Sequence, residues 1–174
     1  GAIYTRREVV DFMLDLAGYT TDKPLFTFRV LEPSFGDGDF LVPLVGRLLS
    51  AYFSQDSGRG NVLDDLASAV RAVEIHPRSV ATTKSKLLHL FEEYEIPAED
   101  ALRLIDQWMI TGDFLLADFR TSFTHVIGNP PYVRQEMIPP DLLAEYRSRF
   151  STLYDRADLY VPFIEKCLHH LSSG

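Results

Sequence analysis

The segment Leu31-Glu32-Pro33-Ser34-Phe35-Gly36-Asp37-Gly38-Asp39-Phe40 lies between a predicted strand at residues 26–31 and a predicted helix that runs to about Phe53. A glycine-bearing turn between a first strand and a helix lets the backbone approach a ligand closely. Its glycine spacing is not the full dinucleotide fingerprint, because no third glycine follows. Glu32 and Asp37 are poorly suited to an anionic pyrophosphate and suit a ligand that carries positive charge. Taken alone, the segment is equally typical of an ordinary tight turn.

Strands alternate with helices along the rest of the chain. Short apolar runs predict strands at residues 70–75, 109–111 and 123–128. Helical periodicity predicts helices at residues 6–17, 79–94 and 98–107, a short helix from Asp141, and a last helix with an apolar face from Leu159 to Leu171. This alternation is typical of βαβ units, so we predict an α/β fold with a mostly parallel sheet and helices on both faces. In such sheets, ligands bind outside the carboxyl ends of the strands.

The first helix is predicted to bury an apolar face at i, i+3, i+4 and i+7, formed by Val9, Phe12, Met13 and Leu16. Thr5 is predicted to cap its start, with Glu8 three residues later completing a capping box.

Acidic residues end the second and third predicted strands. Glu74 ends the second, where a carboxylate typically accepts hydrogen bonds from ribose hydroxyls. Asp113 ends the third, where it can accept from an adenine amino group, and Phe114 beside it can pack on a purine face. The alternatives are a solvated surface acid for Glu74, and a turn followed by a core phenylalanine for Asp113 and Phe114.

The motif Asn129-Pro130-Pro131-Tyr132 follows the fourth predicted strand and is the most specific signal in the chain. The prolines fix the backbone and lack N–H donors, which leaves carbonyl oxygens free to accept hydrogen bonds. The Asn129 side-chain oxygen and the Pro130 carbonyl can then accept both hydrogens of one planar amino group. This frees the nitrogen lone pair to attack a methyl group, and Tyr132 offers a flat face for stacking on the base. The alternative is a strand-terminating turn with a core tyrosine.

Composition limits the remaining possibilities. The 174 residues suffice for one domain, and their net charge of −8 argues against a self-sufficient nucleic-acid-binding module. No apolar run reaches the roughly 18 residues that cross a bilayer. The single cysteine, Cys167, excludes an internal disulfide framework, offers no metal cluster and is interpreted as a packing residue. A cytoplasmic location is expected.

These motifs resemble, in identity and order, those of the gamma class of DNA adenine-N6 methyltransferases, which includes the methyltransferase portions of bifunctional type II restriction–modification enzymes. The N-terminal helix motif corresponds to residues 4–13, the glycine motif to 31–38, the acidic motifs to 73–77 and 111–115, and the catalytic motif to 129–132. Residues 158–171 resemble the helix that follows the catalytic motif. The chain departs from the family pattern at Arg6, where proline is frequent, and at His76, where an acid is common.

The resemblance implies a Rossmann-like fold that uses S-adenosylmethionine and no metal. It divides a partial methyltransferase domain, residues 1–174, into a cofactor-contacting helix at 1–20, a cofactor and catalytic core at 26–132, and a post-catalytic segment at 133–174. The last strands and the target-recognition domain are expected to be absent. The residues implied to hold the methionine part of the cofactor are Thr5, Glu32, Pro33, Ser34, Phe35 and Gly36.

The remaining implied roles divide between cofactor and substrate. Glu74 would bind the ribose, and Asp113 with Phe114 the cofactor adenine. Asn129, Pro130 and Tyr132 would hold the flipped target adenine, and Pro131 would line the junction of the two sites. Transfer would be direct and in line, without a covalent enzyme intermediate.

The implied partner is double-stranded DNA, bound mainly through regions outside this chain, within a restriction–modification or related defence system. Four arginines near the catalytic motif are candidates for phosphate contacts or, equally, for surface ion pairs with Glu136, Glu145 and Asp155; they are Arg134, Arg147, Arg149 and Arg156. The alternatives are a methyltransferase that acts on a protein glutamine or an RNA base amine, and a cofactor-binding module that is inactive in isolation.

Overall fold

The computed structural model describes residues 5–54 and 60–172. Tyr4, the first residue of the predicted N-terminal motif, lies outside the described residues. So do most residues of the polar stretch 54–60, for which the sequence predicts a loop. The described strands are β1 (Val30–Glu32), β2 (Val70–Glu74), β3 (Met109–Thr111) and β4 (His125–Val126). They form one parallel sheet in the order β3-β2-β1-β4. Strands β2 and β3 are therefore added on one side of β1, and β4 is added on its other side. The strand order reverses between β1 and β4, and a crevice opens at such a switch point.

The described α-helices are α1 (Arg7–Leu16), α2 (Leu41–Ser54), α3 (Val62–Leu66), α4 (Pro77–Glu93), α5 (Ala98–Trp108), α6 (Pro140–Arg149) and α7 (Tyr160–His170). They pack on both faces of the sheet, because successive strand side chains point in opposite directions. Val30 lies in a first core with residues of α1, α2, α4 and α5. Leu31, the next residue, lies in a second core with residues of α6 and α7. The predicted α/β fold with a parallel sheet is confirmed.

The prediction of a strand at residues 26–31 is wrong over its first half. Leu25–Thr27 forms a 3-10 turn, and β1 begins only at Val30. The aromatic side chains on which the strand prediction rested pack against other aromatic rings instead. Phe26 lies edge-on to Tyr52 at 5.7 Å between ring centroids, and Phe28 stacks on the His125 ring at 4.9 Å.

The predicted cap and buried face of α1 are also wrong. Arg6 occupies the N-cap position without a side-chain hydrogen bond, and the Thr5 backbone N–H donates to Asp39 Oδ2 at 3.0 Å. All four residues of the predicted face are exposed, with Phe12 at 64% and Leu16 at 77%, and the buried residues are Val10 and Leu14.

Contacts with α2 account for this rotation of α1. Arg47 binds Asp15 Oδ1 at 2.5 Å and Asp11 Oδ1 at 3.3 Å, which turns the neighbouring side of the helix towards α2. Apolar residues occur on both sides of α1, so periodicity alone did not select the buried one.

The other predicted helices are confirmed within a few residues, whereas the five-residue α3 was not predicted. The predicted apolar face of α7 is divided, since Phe163 is buried and Ile164 and Leu168 are exposed. Strand β4 is shorter than predicted, because Phe123 pairs with Leu171 in an isolated parallel bridge outside the strand. Among residues 5–54 and 60–172, no helix is long and apolar enough to cross a membrane.

Candidate functional site

One cavity of about 860 Å³ opens at the carboxyl ends of the strands and contains every site residue predicted from the sequence. Those residues are Thr5, Glu32, Pro33, Ser34, Phe35, Gly36, Glu74, Asp113, Phe114, Asn129, Pro130, Pro131 and Tyr132. The volume is within the range of small-molecule and cofactor sites. The shared cavity places the predicted cofactor and catalytic residues in one continuous space.

Glu32, the last residue of β1, brings a buried carboxyl group to this cavity. Its side chain is 1% exposed, and its Oε2 atom has no hydrogen-bond partner among the described residues. Burial, followed by the nearby carboxylates of Asp39 and Glu74, raises the pKa of Glu32 well above its ordinary value. A buried acid surrounded by other acids is costly unless a positively charged group satisfies it. Glu32 is therefore suited to a ligand that carries a cation.

The glycine turn after β1 exposes its backbone to the cavity. Gly36 has φ +52°, and nothing lies within 4 Å of the position that a Cβ atom would occupy. The Phe35 N–H donates to the Val73 carbonyl at 3.1 Å, which ties the turn to the end of β2. A ligand can therefore approach the peptide groups at Gly36 closely.

Glu74, the last residue of β2, holds the glycine turn in place. Its Oε2 accepts from the Gly36 N–H at 2.8 Å, and its Oε1 accepts from the His76 N–H at 2.9 Å. It is 4% exposed, so the reading as a solvated surface acid is wrong. Each carboxylate oxygen can accept more than one hydrogen bond, which leaves capacity for a ligand hydroxyl.

Asp113 follows β3 and is fixed through both oxygens. Oδ1 accepts from the Leu115 N–H at 2.9 Å, and Oδ2 accepts from the hydroxyl of Tyr146 in α6. Phe114 is 2% exposed and contacts Phe163 of α7 at 5.0 Å between ring centroids.

Lys166 of α7 braces the same turn from within the second core. Its Nζ donates to the carbonyls of Leu115, at 3.1 Å, and Ala117, and lies 5.1 Å from the centroid of the Phe114 ring. Two helices downstream of the catalytic motif thus hold the turn that carries Asp113 and Phe114.

The Asn129–Tyr132 motif reaches the cavity next to Glu32. The Ile127 N–H donates to the Leu31 carbonyl at 3.0 Å, and a Cβ atom on Gly128 would lie 3.3 Å from both Glu32 and Pro33. Asn129 is half-buried, whereas Tyr132 is 63% exposed and tilts against Tyr160 at 6.1 Å between ring centroids. Exposure of Tyr132 excludes the alternative of a core tyrosine and leaves its ring accessible for stacking.

Sequence reasoning missed the wall of the cavity that follows the catalytic motif. The sequence of residues 134–155 is polar and predicts a loop with a short helix from Asp141, yet several of these residues line the cavity together with acidic and apolar residues from other elements. These additional lining residues include Asp39, Ile75, Met137, Ile138, Pro139, Leu142, Tyr146, Leu159 and Phe163. The apolar run from Met137 to Pro140, within a polar stretch, is the signal that could have revealed this wall.

Two of the four candidate arginines bind other side chains, and the other two form no ion pair among the described residues. Arg149 forms an i, i+4 ion pair with Glu145 at 2.7 Å, and Arg147 donates to Gln135 Oε1 at 2.9 Å. Arg134 and Arg156 are exposed, and neither forms an ion pair within the described part of the chain.

Cys167 packs against the second core, where burial raises its pKa to about 12. No cluster of three or more His, Cys, Asp or Glu side chains within residues 5–54 and 60–172 could hold a metal ion.

Comparison with known sequences identifies the family. The model of the Eco57I restriction-modification methylase family matches residues 68–174, which is more than half of the chain. The chain belongs to the Eco57I restriction-modification methylase family.

Curated relatives of this Eco57I-family chain are type II methyltransferases. The chain is 55% identical to M.PaeR7I of Pseudomonas aeruginosa and 48% identical to M.XhoI of Xanthomonas vasicola, each over all of its 174 residues. It covers 30% and 32% of those two proteins, so it spans about a third of their length.

Solved structures share the fold of the Eco57I-family chain at low sequence identity. A protein assigned to the class I S-adenosylmethionine-dependent methyltransferases of Listeria monocytogenes superposes with a TM-score of 0.61 at 15% identity, over 100% of this chain and 46% of the other. The type IIL restriction-modification enzyme MmeI, solved in complex with DNA, superposes with a TM-score of 0.53 at 15% identity, over 94% of this chain and 26% of the other. The Rossmann-like methyltransferase fold is confirmed.

Family membership and fold identify S-adenosylmethionine as the cofactor. The cavity suits this molecule on independent chemical grounds. S-adenosylmethionine carries an ammonium and a sulfonium group, and the buried Glu32 carboxyl lacks a partner among the described residues. Phe114, Asp113 and Glu74 line the same cavity as Glu32.

Proposed function

We propose that the full-length protein transfers a methyl group to the N6 amino group of adenine in DNA, as part of a restriction–modification system. The observation that carries the proposal is the position of Asn129-Pro130-Pro131-Tyr132 in the same cavity as Glu32 and Asp113. An amine-binding motif and a cation-binding acid in one cavity suit transfer of a methyl group between two bound molecules. The curated relatives are type II methyltransferases, which supports DNA as the substrate class.

In this proposal, the catalytic motif binds the target amine by accepting both of its hydrogens. The Asn129 side-chain oxygen and the Pro130 carbonyl are the acceptors, and Pro130 and Pro131 contribute no competing N–H donor. Two acceptors aligned on one planar amino group disfavour delocalisation of the nitrogen lone pair into the purine ring. The target base leaves the duplex to reach the site, and the exposed ring of Tyr132 stacks on it there.

The cofactor is held by residues at the carboxyl ends of β1, β2 and β3. Glu32 binds the positive charge of the methionine part, with Thr5 and the backbone of residues 33–36 beside it. Glu74 accepts from the ribose hydroxyls, while Asp113 and Phe114 bind the adenine ring. Bound S-adenosylmethionine would supply the methyl group: the amine nitrogen would gain it and lose a proton as the sulfonium–methyl bond breaks, and S-adenosylhomocysteine would leave. Pro131 would line the junction between the cofactor and the target amine. Direct in-line transfer requires no nucleophilic side chain, which agrees with the raised pKa of Cys167.

The experiment that tests the proposal is identification of the product. Full-length protein is incubated with duplex DNA and methyl-labelled S-adenosylmethionine, and the digested nucleosides are separated by mass spectrometry. We expect the label in N6-methyldeoxyadenosine. Label only in cytosine derivatives would contradict the assignment to adenine. Label transferred only to RNA or to a protein glutamine, offered in parallel reactions, would support the alternative substrates.

A further inference from the structure

The turn that carries Asp113 is fastened by a residue from outside the known motifs. Tyr146 lies in α6, 33 positions further along the chain, and its hydroxyl donates to Asp113 Oδ2. Tyr146 is 3% exposed, and it lines the same cavity as Asp113. The bond is thus a partly buried contact at the edge of the proposed cofactor site.

The second anchor of Asp113 is local. Its Oδ1 accepts from the Leu115 N–H at 2.9 Å, two residues along the chain. A single local hydrogen bond still lets the carboxylate of an aspartate rotate about χ2, because the distribution of this terminal torsion angle is broad. A second bond to the other oxygen fixes the plane of the carboxylate. The lone pairs that remain on the two oxygens then point in set directions.

We infer that Tyr146 is a positioning residue that orients the Asp113 carboxylate to accept the amino group of the cofactor adenine, and so determines selectivity for adenine over other purines at that subsite. The inference rests on the role of Asp113 in the proposed function and adds to it a residue from the segment after the catalytic motif. A carboxylate held in advance binds its donor without the cost of ordering on binding.

The chemistry of the tyrosine supports a constant donor role. Burial, followed by the bond to Asp113, raises the pKa of Tyr146, so the hydroxyl remains protonated at neutral pH. A protonated hydroxyl donates to the carboxylate and leaves acceptor capacity on both Asp113 oxygens for a ligand. Lys166 holds the adjacent carbonyls of Leu115 and Ala117, so the backbone of the turn is supported independently of Tyr146.

The test compares two ligands in one protein. Full-length protein is titrated calorimetrically with S-adenosylhomocysteine and with its inosine analogue, in which a keto oxygen replaces the adenine amino group. The wild type should prefer the adenine ligand by roughly 10- to 100-fold, because the keto oxygen cannot donate to Asp113. In Tyr146→Phe this preference should fall by roughly three- to tenfold, with most of the change in affinity for the adenine ligand.

Tyr52→Phe is the matched control. Tyr52 is 2% exposed and donates to Asp65 Oδ2 at 2.7 Å, but it does not line the cavity. It should lower the thermal stability of the protein as Tyr146→Phe does, and leave the ligand preference unchanged. The fitted stoichiometry reports the folded fraction of each variant, so partial unfolding does not enter the two dissociation constants.

The possible results distinguish failure of the role inferred for Tyr146 from failure of the role proposed for Asp113. A preference in the wild type that Tyr146→Phe leaves intact would overturn the inference and leave the role of Asp113 standing. Equal weakening of both ligands in Tyr146→Phe would also overturn it, since that pattern indicates a structural role only. No preference in the wild type would remove the assignment of Asp113 to the adenine amino group, and the inference with it.

Discussion

At the scale of single residues, the carboxyl groups that line the cavity differ in how many hydrogen bonds they accept from the protein. Glu74 and Asp113 each accept two hydrogen bonds from the protein, whereas Glu32 Oε2 accepts none from the described residues. A protein that leaves a buried acid unpaired loses stability, and functional sites are where such losses concentrate. Glu32 is therefore the residue whose replacement should separate stability from cofactor affinity.

We predict that Glu32→Gln stabilises the free protein and weakens cofactor binding. Burial and the neighbouring carboxylates raise the pKa of Glu32 in the folded protein, so the folded state binds a proton that the unfolded chain releases. Between the ordinary glutamate pKa of about 4.3 and the raised value, stability falls as pH rises, and glutamine removes this loss. Loss of a charge-assisted contact should lower affinity for S-adenosylmethionine by roughly 1.5–3 kcal/mol.

The two effects of Glu32→Gln are measured by thermal unfolding across pH and by calorimetric titration. Asp106→Asn is the control, because that carboxylate is 68% exposed, pairs with Lys84 and lies away from the cavity. A glutamine variant that is less stable at neutral pH, or that binds the cofactor with unchanged affinity, would contradict the role given to Glu32.

At the scale of elements, the turn between β1 and α2 depends on two glycines for different reasons. Gly36 has φ +52° and open space around it, whereas Gly38 has φ +88° and is enclosed. A Cβ atom on Gly38 would lie 3.0 Å from Thr83 of α4 and from Val42 of α2. Thr83 is fully buried and donates to the Gly36 carbonyl at 3.0 Å, so it cannot move without releasing the turn.

Gly38→Ala should therefore destabilise the protein more than Gly36→Ala does. The left-handed backbone costs roughly 1–2 kcal/mol in either variant. Overpacking against Thr83 and Val42 adds roughly 1–3 kcal/mol at Gly38 alone. Urea unfolding of both variants measures the difference, and equal losses would show that crowding at Gly38 is relieved elsewhere.

The elements also show where the sequence was informative. Strand-ending residues such as Glu74 and Asp113 could be located because a parallel sheet brings all carboxyl ends to one edge. The buried side of α1 could not, because its rotation is set by contacts of Arg47 with Asp11 and Asp15. The wall formed after the catalytic motif was missed for a similar reason. Its lining residues come from a loop and α6, whose positions depend on tertiary contacts such as that of Tyr146.

At the scale of the whole molecule, charge distribution matters more than net charge. The chain has a formal charge of −8, yet Arg134 and Arg156, in the segment after the catalytic motif, are exposed cations without ion pairs in the described part of the chain. DNA binding gains from each phosphate that such a residue neutralises. Arg149, already paired with Glu145, lacks that free charge.

In the full-length protein, Arg134→Ala and Arg156→Ala should each weaken DNA binding, and each should reduce the slope of log affinity against log salt concentration by about 0.9. Arg149→Ala is the matched control and should change neither quantity. Fluorescence anisotropy over a series of salt concentrations gives both. An effect of Arg149→Ala equal to the other two would indicate a general loss of positive charge instead of specific phosphate contacts.

The whole protein also provides the most direct test of the central claim, that Asn129 acts on the target amine and not on the cofactor. In one preparation of full-length Asn129→Ala, cofactor affinity is measured by calorimetry and methyl transfer to DNA by incorporation of label. We predict an unchanged dissociation constant for S-adenosylmethionine and a transfer rate lower by about 10²–10³-fold or more, as for loss of a fixed hydrogen-bonding group at a reacting centre. Parallel loss of binding and transfer, or transfer at the wild-type rate, would contradict the claim.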